Sequence, residues 1–231
     1  MSEEQQTRFA ALLERRTRGE PVAYLLGERE FYGRAFAVAP GVLIPRPETE
    51  LLVELGIAKL AGRTAPTLLD LGTGSGCVAI TLALEIPDAQ VTAVELSAAA
   101  IALSRHNARE LGAAVEVMES DWFSAVNDEG FALIVANPPY VAEGDIHLDQ
   151  GDLRFEPSLA LASGPDGLAA IRTIVSAAKS YLGAGGWLLI EHGYDQAEAV
   201  ADLLQAAGFA DIEQHRDLAG IIRVSGGLSG A

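Results

Sequence analysis

The rhythm of hydrophobic and polar positions changes near Thr67. Downstream, short apolar runs recur at Leu68 to Leu71, Val91 to Val94, Val115 to Met118, Ala132 to Ala136 and Trp187 to Ile190, with helical periodicity between most of them. Such alternation predicts βαβ units and a mostly parallel, doubly wound sheet. Two further runs, Ala210 to Gln214 and Ile221 to Val224, flank the turn-like Asp217-Leu218-Ala219-Gly220 and predict an antiparallel hairpin closing one edge. Upstream the pattern differs. Residues 5 to 18 read as a short helix with Phe9, Leu12 and Leu13 on one side, Arg15, Arg16 and Arg18 at the cation-favouring end, and Gly19 as its stop. Glu28 to Phe31 and Phe36 to Val38 predict a β-hairpin turning at Tyr32-Gly33-Arg34. Pro45 to Glu50 is a rigid helix entry, since proline suits the first turn and the glutamates suit the positive end of the dipole; Leu51, Leu52, Leu55 and Ile57 to Leu60 then form the apolar face. The glycine-rich end from Gly226 to Ala231 is expected to fray.

Composition narrows the function classes. The 231 residues, 49% hydrophobic and 21% charged, fit one large domain or one with a small appendage. Nine basic and nine acidic side chains cancel within residues 1 to 66, so the whole net charge of −16 lies from Thr67 onward and marks a boundary near Pro66. A chain so short of Lys and Arg is not built to neutralise the phosphates of free nucleic acid or an anionic membrane surface. The single cysteine, Cys77, cannot form an intrachain disulfide. No basic, apolar leader opens the sequence, and no stretch nears the roughly eighteen apolar residues of a membrane span, so a cytoplasmic location is expected.

The first candidate chemistry lies in Leu68-Leu69-Asp70-Leu71-Gly72-Thr73-Gly74-Ser75-Gly76. An apolar strand runs into three alternating glycines and then the helical Cys77 to Glu85, which lets backbone approach a ligand at a helix N-terminus. A dinucleotide fingerprint needs glycine at the sixth position counted from Gly72, and Cys77 stands there. About 20 residues on, Glu95 ends the second strand, where an acidic side chain accepts hydrogen bonds from a pair of ribose hydroxyls. This arrangement resembles the class I S-adenosylmethionine-dependent methyltransferases; a purely structural glycine turn is the alternative. Asp121-Trp122 follows the third strand, where that superfamily holds adenine: the aspartate can accept from an exocyclic amine and the indole can cover the ring, although a tryptophan here also reads as a packing residue.

Asn137-Pro138-Pro139-Tyr140, after the fourth strand, carries the most specific signal. An amide nitrogen is a poor nucleophile because its lone pair is delocalised. Methylating it requires that lone pair to point at the methyl group while its N–H bonds are held elsewhere. The Asn137 side-chain oxygen and the Pro138 carbonyl can each accept one N–H, the prolines fix the loop and remove competing donors, and the Tyr140 ring can lie over an electron-poor methyl. Such catalysis rests on positioning and electrostatics, without a covalent intermediate.

The sequence resembles the HemK/PrmC family of protein-(glutamine-N5) methyltransferases. Besides the tetrapeptide, the resemblance takes in Arg18 to Tyr24, Arg29 to Gly33, Pro40 to Glu50, Asp70 to Gly76, Asp121 to Phe123, Glu156-Pro157, Gly164 to Leu168, Glu191 to Gly193, Asp217 to Gly220 and Arg223. It implies a Rossmann-like fold with a mostly parallel seven-stranded sheet and a C-terminal antiparallel hairpin, preceded by a short helix and a β-hairpin. It implies methylation of the glutamine in the Gly-Gly-Gln loop of class I peptide-chain release factors, with S-adenosylmethionine as methyl donor, S-adenosylhomocysteine as product and no metal. On the same grounds Asp70, Gly72, Thr73, Gly74, Ser75, Gly76, Glu95, Asp121, Trp122 and Asn137 bind the cofactor, and Asn137 to Tyr140 receive the glutamine. The expected organisation is residues 1–45 as a remnant helix and hairpin linker, 46–226 as the catalytic domain and 227–231 as a tail, with the chain acting as a monomer. The family's bundle of several N-terminal helices, which docks the substrate, is represented by one short helix.

Two rival functions share part of the pattern. Adenine-N6 and guanine-N2 nucleic-acid methyltransferases carry similar tetrapeptides, but the acidic charge and the absence of a basic recognition domain count against them. A catalytically idle cofactor-binding module that activates a partner would not need an intact Asn137 and Tyr140. Outside the site, His106, His147, His192 and His215 lack metal-ligand spacing, and Cys77 reads as a packing residue. His192, at a strand end, reads equally as lining the cleft or as structural. Arg46 and Glu48 read as a pair near the site or as helix caps, and Glu143, Asp145, Asp149 and Asp152 as a surface loop able to close over substrate.

Overall fold

A computed structural model describes residues 1–127 and 130–230. Two N-terminal helices, α1 (Glu3–Thr17) and α2 (Val22–Leu26), lead into the hairpin β1 (Glu28–Phe31) and β2 (Arg34–Ala37). A 3-10 turn at Pro47–Thr49 then enters α3 (Glu50–Leu60). Alternation follows as β3 (Thr67–Leu71), α4 (Cys77–Glu85), β4 (Gln90–Glu95), α5 (Ala98–Leu111), β5 (Val115–Glu119) and β6 (Phe131–Ala136). After a long connection come α6 (Ala169–Ala178), β7 (Leu182–Glu191), α7 (Ala197–Ala206), β8 (Ala210–Arg216) and β9 (Ile222–Leu228). The seven-stranded sheet has the order β5-β4-β3-β6-β7-β9-β8, parallel except where β9 joins β7 and β8.

The period of two along the central strands explains the two cores. Leu68, Leu133, Val135 and Leu189 face one side and meet Leu52, Val53, Ile80, Leu82 and Ile101 of α3 to α5. Leu69, Leu71, Ile134, Ala136, Leu188 and Ile190 face the other and meet Ile171, Ile174, Val200 and Leu204 of α6 and α7. Covered on both faces, the strands read as continuous apolar runs, as parallel sheets do. The hairpin adds Phe31 and Phe36, edge to face at 6.0 Å, to the first core.

The C-terminal glycines depart from the expected frayed tail. Gly226 and Gly227 lie within β9, opposite Leu189 and Leu188, and Ser229 N–H donates to the Gly186 carbonyl at 2.8 Å. A Cβ on Gly227 would stand 2.7 Å from the Phe209 side chain, so these glycines permit close packing. Ala231 lies outside the described residues. The strand containing Trp187 also starts earlier than expected, at Leu182 opposite Phe131, and the glycine-rich stretch between Leu182 and Trp187 interrupts the register with β6 before pairing resumes at Leu133. α1 is capped by a Ser2–Gln5 capping box but buries none of its side chains; Arg16 with Asp152 at 3.2 Å and Arg154 with the Arg18 carbonyl at 2.8 Å tie its end to the body.

One helix side chain fastens the hairpin to the glycine loop. Asn107, buried in α5, accepts from Ala37 N–H at 2.9 Å and donates to the carbonyls of Ala37 at 3.1 Å and Ser75 at 2.8 Å. Stranding the buried Ser75 carbonyl and the half-buried Ala37 N–H and carbonyl is expected to cost about 1–3 kcal/mol in Asn107→Ala. Urea unfolding reads this directly, and an unchanged midpoint would remove the tether from the account.

Candidate active site

The strand order reverses between β3 and β6, and a cleft of about 260 Å³ opens there at the C-terminal ends of the strands. This is the switch point where doubly wound sheets bind ligands. Asp70, Gly72, Thr73, Gly74, Ser75, Glu95, Asp121, Trp122, Asn137, Pro138 and Pro139 line it together. Two residues of the expected set stand apart. Gly76 turns into α4, where an added Cβ would strike Ile80 at 2.6 Å and Ser104 at 3.1 Å. Tyr140 faces an adjoining hollow of about 150 Å³, shared with Asn137, Pro138, Leu43, Arg46, Leu153 and Leu161. The tetrapeptide is therefore a partition with a hollow on each side.

The glycine loop leaves β3 with φ of 72° at Gly72, 57° at Gly74 and 85° at Gly76. Gly72 is required twice, because its backbone is left-handed and an added Cβ would lie 3.3 Å from Trp122 Cζ3. Thr73 Oγ1 donates to Asp70 Oδ2 at 2.7 Å, holding the loop to the strand below. Glu95, expected to accept from a pair of ribose hydroxyls, already accepts from backbone. Its Oε2 accepts from Gly74 N–H and its Oε1 from Leu96 and Ser97 N–H, each at 2.9 Å. Of about four acceptor positions on a carboxylate, three are occupied, which leaves room on Oε2 for one ligand hydroxyl rather than a pair. Trp122 sits in a left-handed turn at φ 49°, where Ser120 Oγ donates to its carbonyl at 2.8 Å. The indole packs over Gly72, so it is both a packing residue and part of the cleft wall.

Asn137 Nδ2 donates to the buried Thr49 hydroxyl at 3.1 Å. No donor among the described residues engages its Oδ1, which remains available toward the cleft. The proline-rich entry to α3 is thus one wall of the site. Arg46 does not pair with Glu48: its guanidinium meets Glu156, whose buried carboxylate also accepts from Ile44 N–H at 3.1 Å. Gln196 holds the other end of the tetrapeptide, donating to the Tyr140 carbonyl at 2.9 Å and accepting from Gly193 N–H at 2.8 Å. His192 is structural: it is buried, with Nε2 2.8 Å from Ser225 Oγ, and burial lowers its pKa. Burial pushes the Cys77 thiol up to about 12, consistent with a packing role. The loop carrying Glu143 and Asp152 folds into 3-10 turns at Ile146–Asp149, Leu153–Phe155 and Ser158–Ala160.

Thr49, Asn107 and Gln196 had no assigned role in the sequence reading. For Asn107 a signal existed, since asparagine within a helix competes with the backbone and is retained where its amide has other work.

Burial raises the Asp70 carboxyl to about 6, with the Thr73 hydroxyl and Ala79 N–H opposing. Between its ordinary value of 3.8 and about 6 the folded protein holds a proton that the unfolded chain releases, so stability falls as pH rises through that window. The loss contributed by Asp70 is about 3 kcal/mol. In Asp70→Asn, which keeps an oxygen for Thr73, the stability gain over wild type is expected to grow between about pH 4 and pH 6 and then level off. A difference independent of pH, read by urea unfolding, would contradict this.

The cleft suits a hydroxyl-bearing cation. Its walls carry Asp70, Glu95 and Asp121 against one cation, Arg46, which Glu156 neutralises. A pyrophosphate would meet carboxylates, whereas an adenosyl sulfonium has hydroxyls, an amine and positive charge to offer them. Among the described residues no group of three or more His, Cys, Asp or Glu side chains is placed to hold a metal ion, and no helix is long and apolar enough to cross a membrane.

Sheet order, glycine loop and tetrapeptide together define a class I methyltransferase, a class that uses S-adenosylmethionine. A methyltransferase from Pyrococcus furiosus shares the fold, with a TM-score of 0.65 at 16% identity over the whole of both chains. The family described as Methyltransferase small domain matches residues 48–154, and that described as PrmC N-terminal domain matches residues 1–27. A release factor glutamine methyltransferase of Burkholderia pseudomallei is 54% identical over 95% of this chain and 80% of its own length. One from Escherichia coli is 45% identical over 94% and 78%. The chain belongs to the release factor glutamine methyltransferase family.

Proposed function

We propose that the protein methylates the side-chain nitrogen of the glutamine in the Gly-Gly-Gln loop of class I peptide-chain release factors. The observation that carries this reading is the Asn137 amide, its nitrogen held inward by Thr49 and its oxygen free at the meeting of the two hollows.

Bound S-adenosylmethionine supplies an electrophilic methyl group and leaves as S-adenosylhomocysteine. Asp70, Gly72 to Ser75, Glu95, Asp121 and Trp122 hold it in the larger hollow, with Gly76 acting indirectly by seating the loop on α4. The target glutamine enters from the Tyr140 side. Asn137 Oδ1 and the Pro138 carbonyl accept its two N–H bonds, which turns the nitrogen lone pair toward the larger hollow. As the nitrogen gains the methyl group it gives up one of these protons, which passes to solvent as the product leaves. Pro138 and Pro139 have no N–H to compete, and their rings keep the loop from relaxing. The Tyr140 ring packs on the substrate group and excludes water. The chemistry requires no metal.

Residues 46–226 with the remainder of β9 form the catalytic unit, and residues 1–45 supply the N-terminal helices and the hairpin linker that lead into it. The enzyme acts as a monomer in the cytoplasm, on a protein. The acidic cleft and the charge of −16 give no support to free nucleic acid as substrate. Incubation with labelled cofactor is expected to label a release factor but not its Gln→Ala form in the Gly-Gly-Gln loop. Equal labelling of both, or labelling of bare RNA in preference, would overturn the assignment.

A further inference from the structure

A buried carboxyl stands behind the tetrapeptide. Glu191 ends β7 one residue past Ile190, which pairs with Ala136 of β6, so it lies level with Asn137 at the strand ends. It is 1% exposed; Oε1 accepts from the Tyr140 hydroxyl at 3.4 Å, and Oε2 has no hydrogen-bond partner. The Thr49 hydroxyl, which donates to no described residue, lies near enough to favour the charged form, as the Tyr140 phenol does. Resting on the function proposed above, we infer that Glu191 is a positioning residue for methyl transfer: through Thr49 it sets the Asn137 amide, and through Tyr140 it sets the ring at the other end of the tetrapeptide.

Hydrogen-bond polarity sets the direction of this chain. Among the described residues the Tyr140 hydroxyl has no acceptor other than Glu191, and Thr49 Oγ1 already accepts from Asn137. A carboxylate, which has only acceptor positions, draws both hydroxyl protons toward itself. With its proton turned to Glu191, Thr49 presents a lone pair to Asn137. The asparagine then meets it with Nδ2 and keeps Oδ1 for the substrate N–H. A glutamine at 191 has one acceptor and a competing NH2, so it cannot impose this polarity.

Several charged groups surround Glu191. Arg223 on β9, paired with Asp217 at 3.2 Å, favours the carboxylate, while Glu48 in the 3-10 turn opposes it. The Cys77 thiol, His192 and the Tyr140 phenol are neutral near pH 7, with Cys77 and Tyr140 held up and His192 held down by burial. Desolvation places the Glu191 carboxyl at about 7, so the ordering form is gained as pH rises through neutrality.

Wild type and Glu191→Gln distinguish this role from packing. In NMR of the protein alone, the Asn137 side-chain NH2 pair, identified by its loss in Asn137→Ala, is expected to titrate with an apparent pKa near the Glu191 value of about 7 in wild type. It should be insensitive to pH in Glu191→Gln. In turnover, Glu191→Gln is expected to lose about tenfold in kcat, and with it the limb that rises through neutral pH, while KM for the release factor stays within about twofold. Adding Thr49→Val should cost little more, because the two act in one chain. If Glu191→Gln does not fold, Thr49→Val alone should abolish the Asn137 titration while the carboxyl remains. A titration that survives Glu191→Gln or Thr49→Val, its absence from wild type, or wild-type kcat in Glu191→Gln overturns the inference. The NMR readout needs no methyl transfer, so failure of wild type to methylate a release factor would separately count against the proposed function.

Discussion

Asn137→Ala is expected to reduce turnover about 100- to 1000-fold, the usual cost of removing a preorganised polar group that orients the reacting centre. Without Oδ1 one substrate N–H is unheld, and the amide nitrogen can rotate its lone pair away from the methyl group. The loss should fall mainly on kcat in single-turnover experiments, because the Pro138 carbonyl and the walls of the Tyr140 hollow still receive the glutamine. Asn137→Asp should not rescue the activity. A carboxylate cannot donate to Thr49, and it would place a second negative charge beside the buried Glu191. Turnover of Asn137→Ala within about threefold of wild type would remove Asn137 from the reaction.

Gly167→Ala is expected to damage the same site from behind. Gly167 has φ of 74°, and an added Cβ would lie 2.2 Å from the Tyr140 carbonyl oxygen and 2.7 Å from Gln196 Nε2. Left-handed strain and the clash with backbone together should cost about 3 kcal/mol. Because the displaced carbonyl belongs to the tetrapeptide and is the one Gln196 holds, turnover should fall as well as stability. Gly33 in the hairpin turn is the control. It has nearly the same φ, 72°, but no atom within 4 Å of an added Cβ, so Gly33→Ala should cost only about 1–2 kcal/mol. Unfolding midpoints and turnover of the two variants measure the difference; equal behaviour would show that the loop behind Tyr140 is no buttress.

Features governed by local chemistry were readable in the chain. Leu68 to Leu71, followed by three glycines at alternate positions, announces a buried strand turning into a helix, and the strand is there. Asn137 to Tyr140 announces a rigid polar loop at the end of another, and β3 and β6 do lie side by side. What escaped reading depends on contacts between distant segments. Arg46 and Glu48 read as a pair or as helix caps, but the fold brings Glu156 to Arg46 from the long connection after β6, and a buried carboxylate requires that partner more than an exposed one does. Nothing near Thr49 shows that its hydroxyl will meet Asn137, and nothing near Gln196 shows that it will clamp Tyr140. Both meetings follow from α3 and the start of α7 packing against the ends of β6 and β7. Glu95 reads as accepting from a pair of ribose hydroxyls, and the backbone donors that also engage it carry no mark in a sequence. The glycine ending was read as loose because close packing against Phe209 and Leu189 is a property of the assembled sheet.

The most direct measurement is tandem mass spectrometry of a release factor after reaction with the protein and S-adenosylmethionine. A single methyl group on the side-chain nitrogen of the Gly-Gly-Gln glutamine, absent when Asn137→Ala replaces wild type, is the predicted result. A methyl group on any other residue, or an unmodified glutamine after prolonged reaction with cofactor-binding wild-type protein, would contradict it.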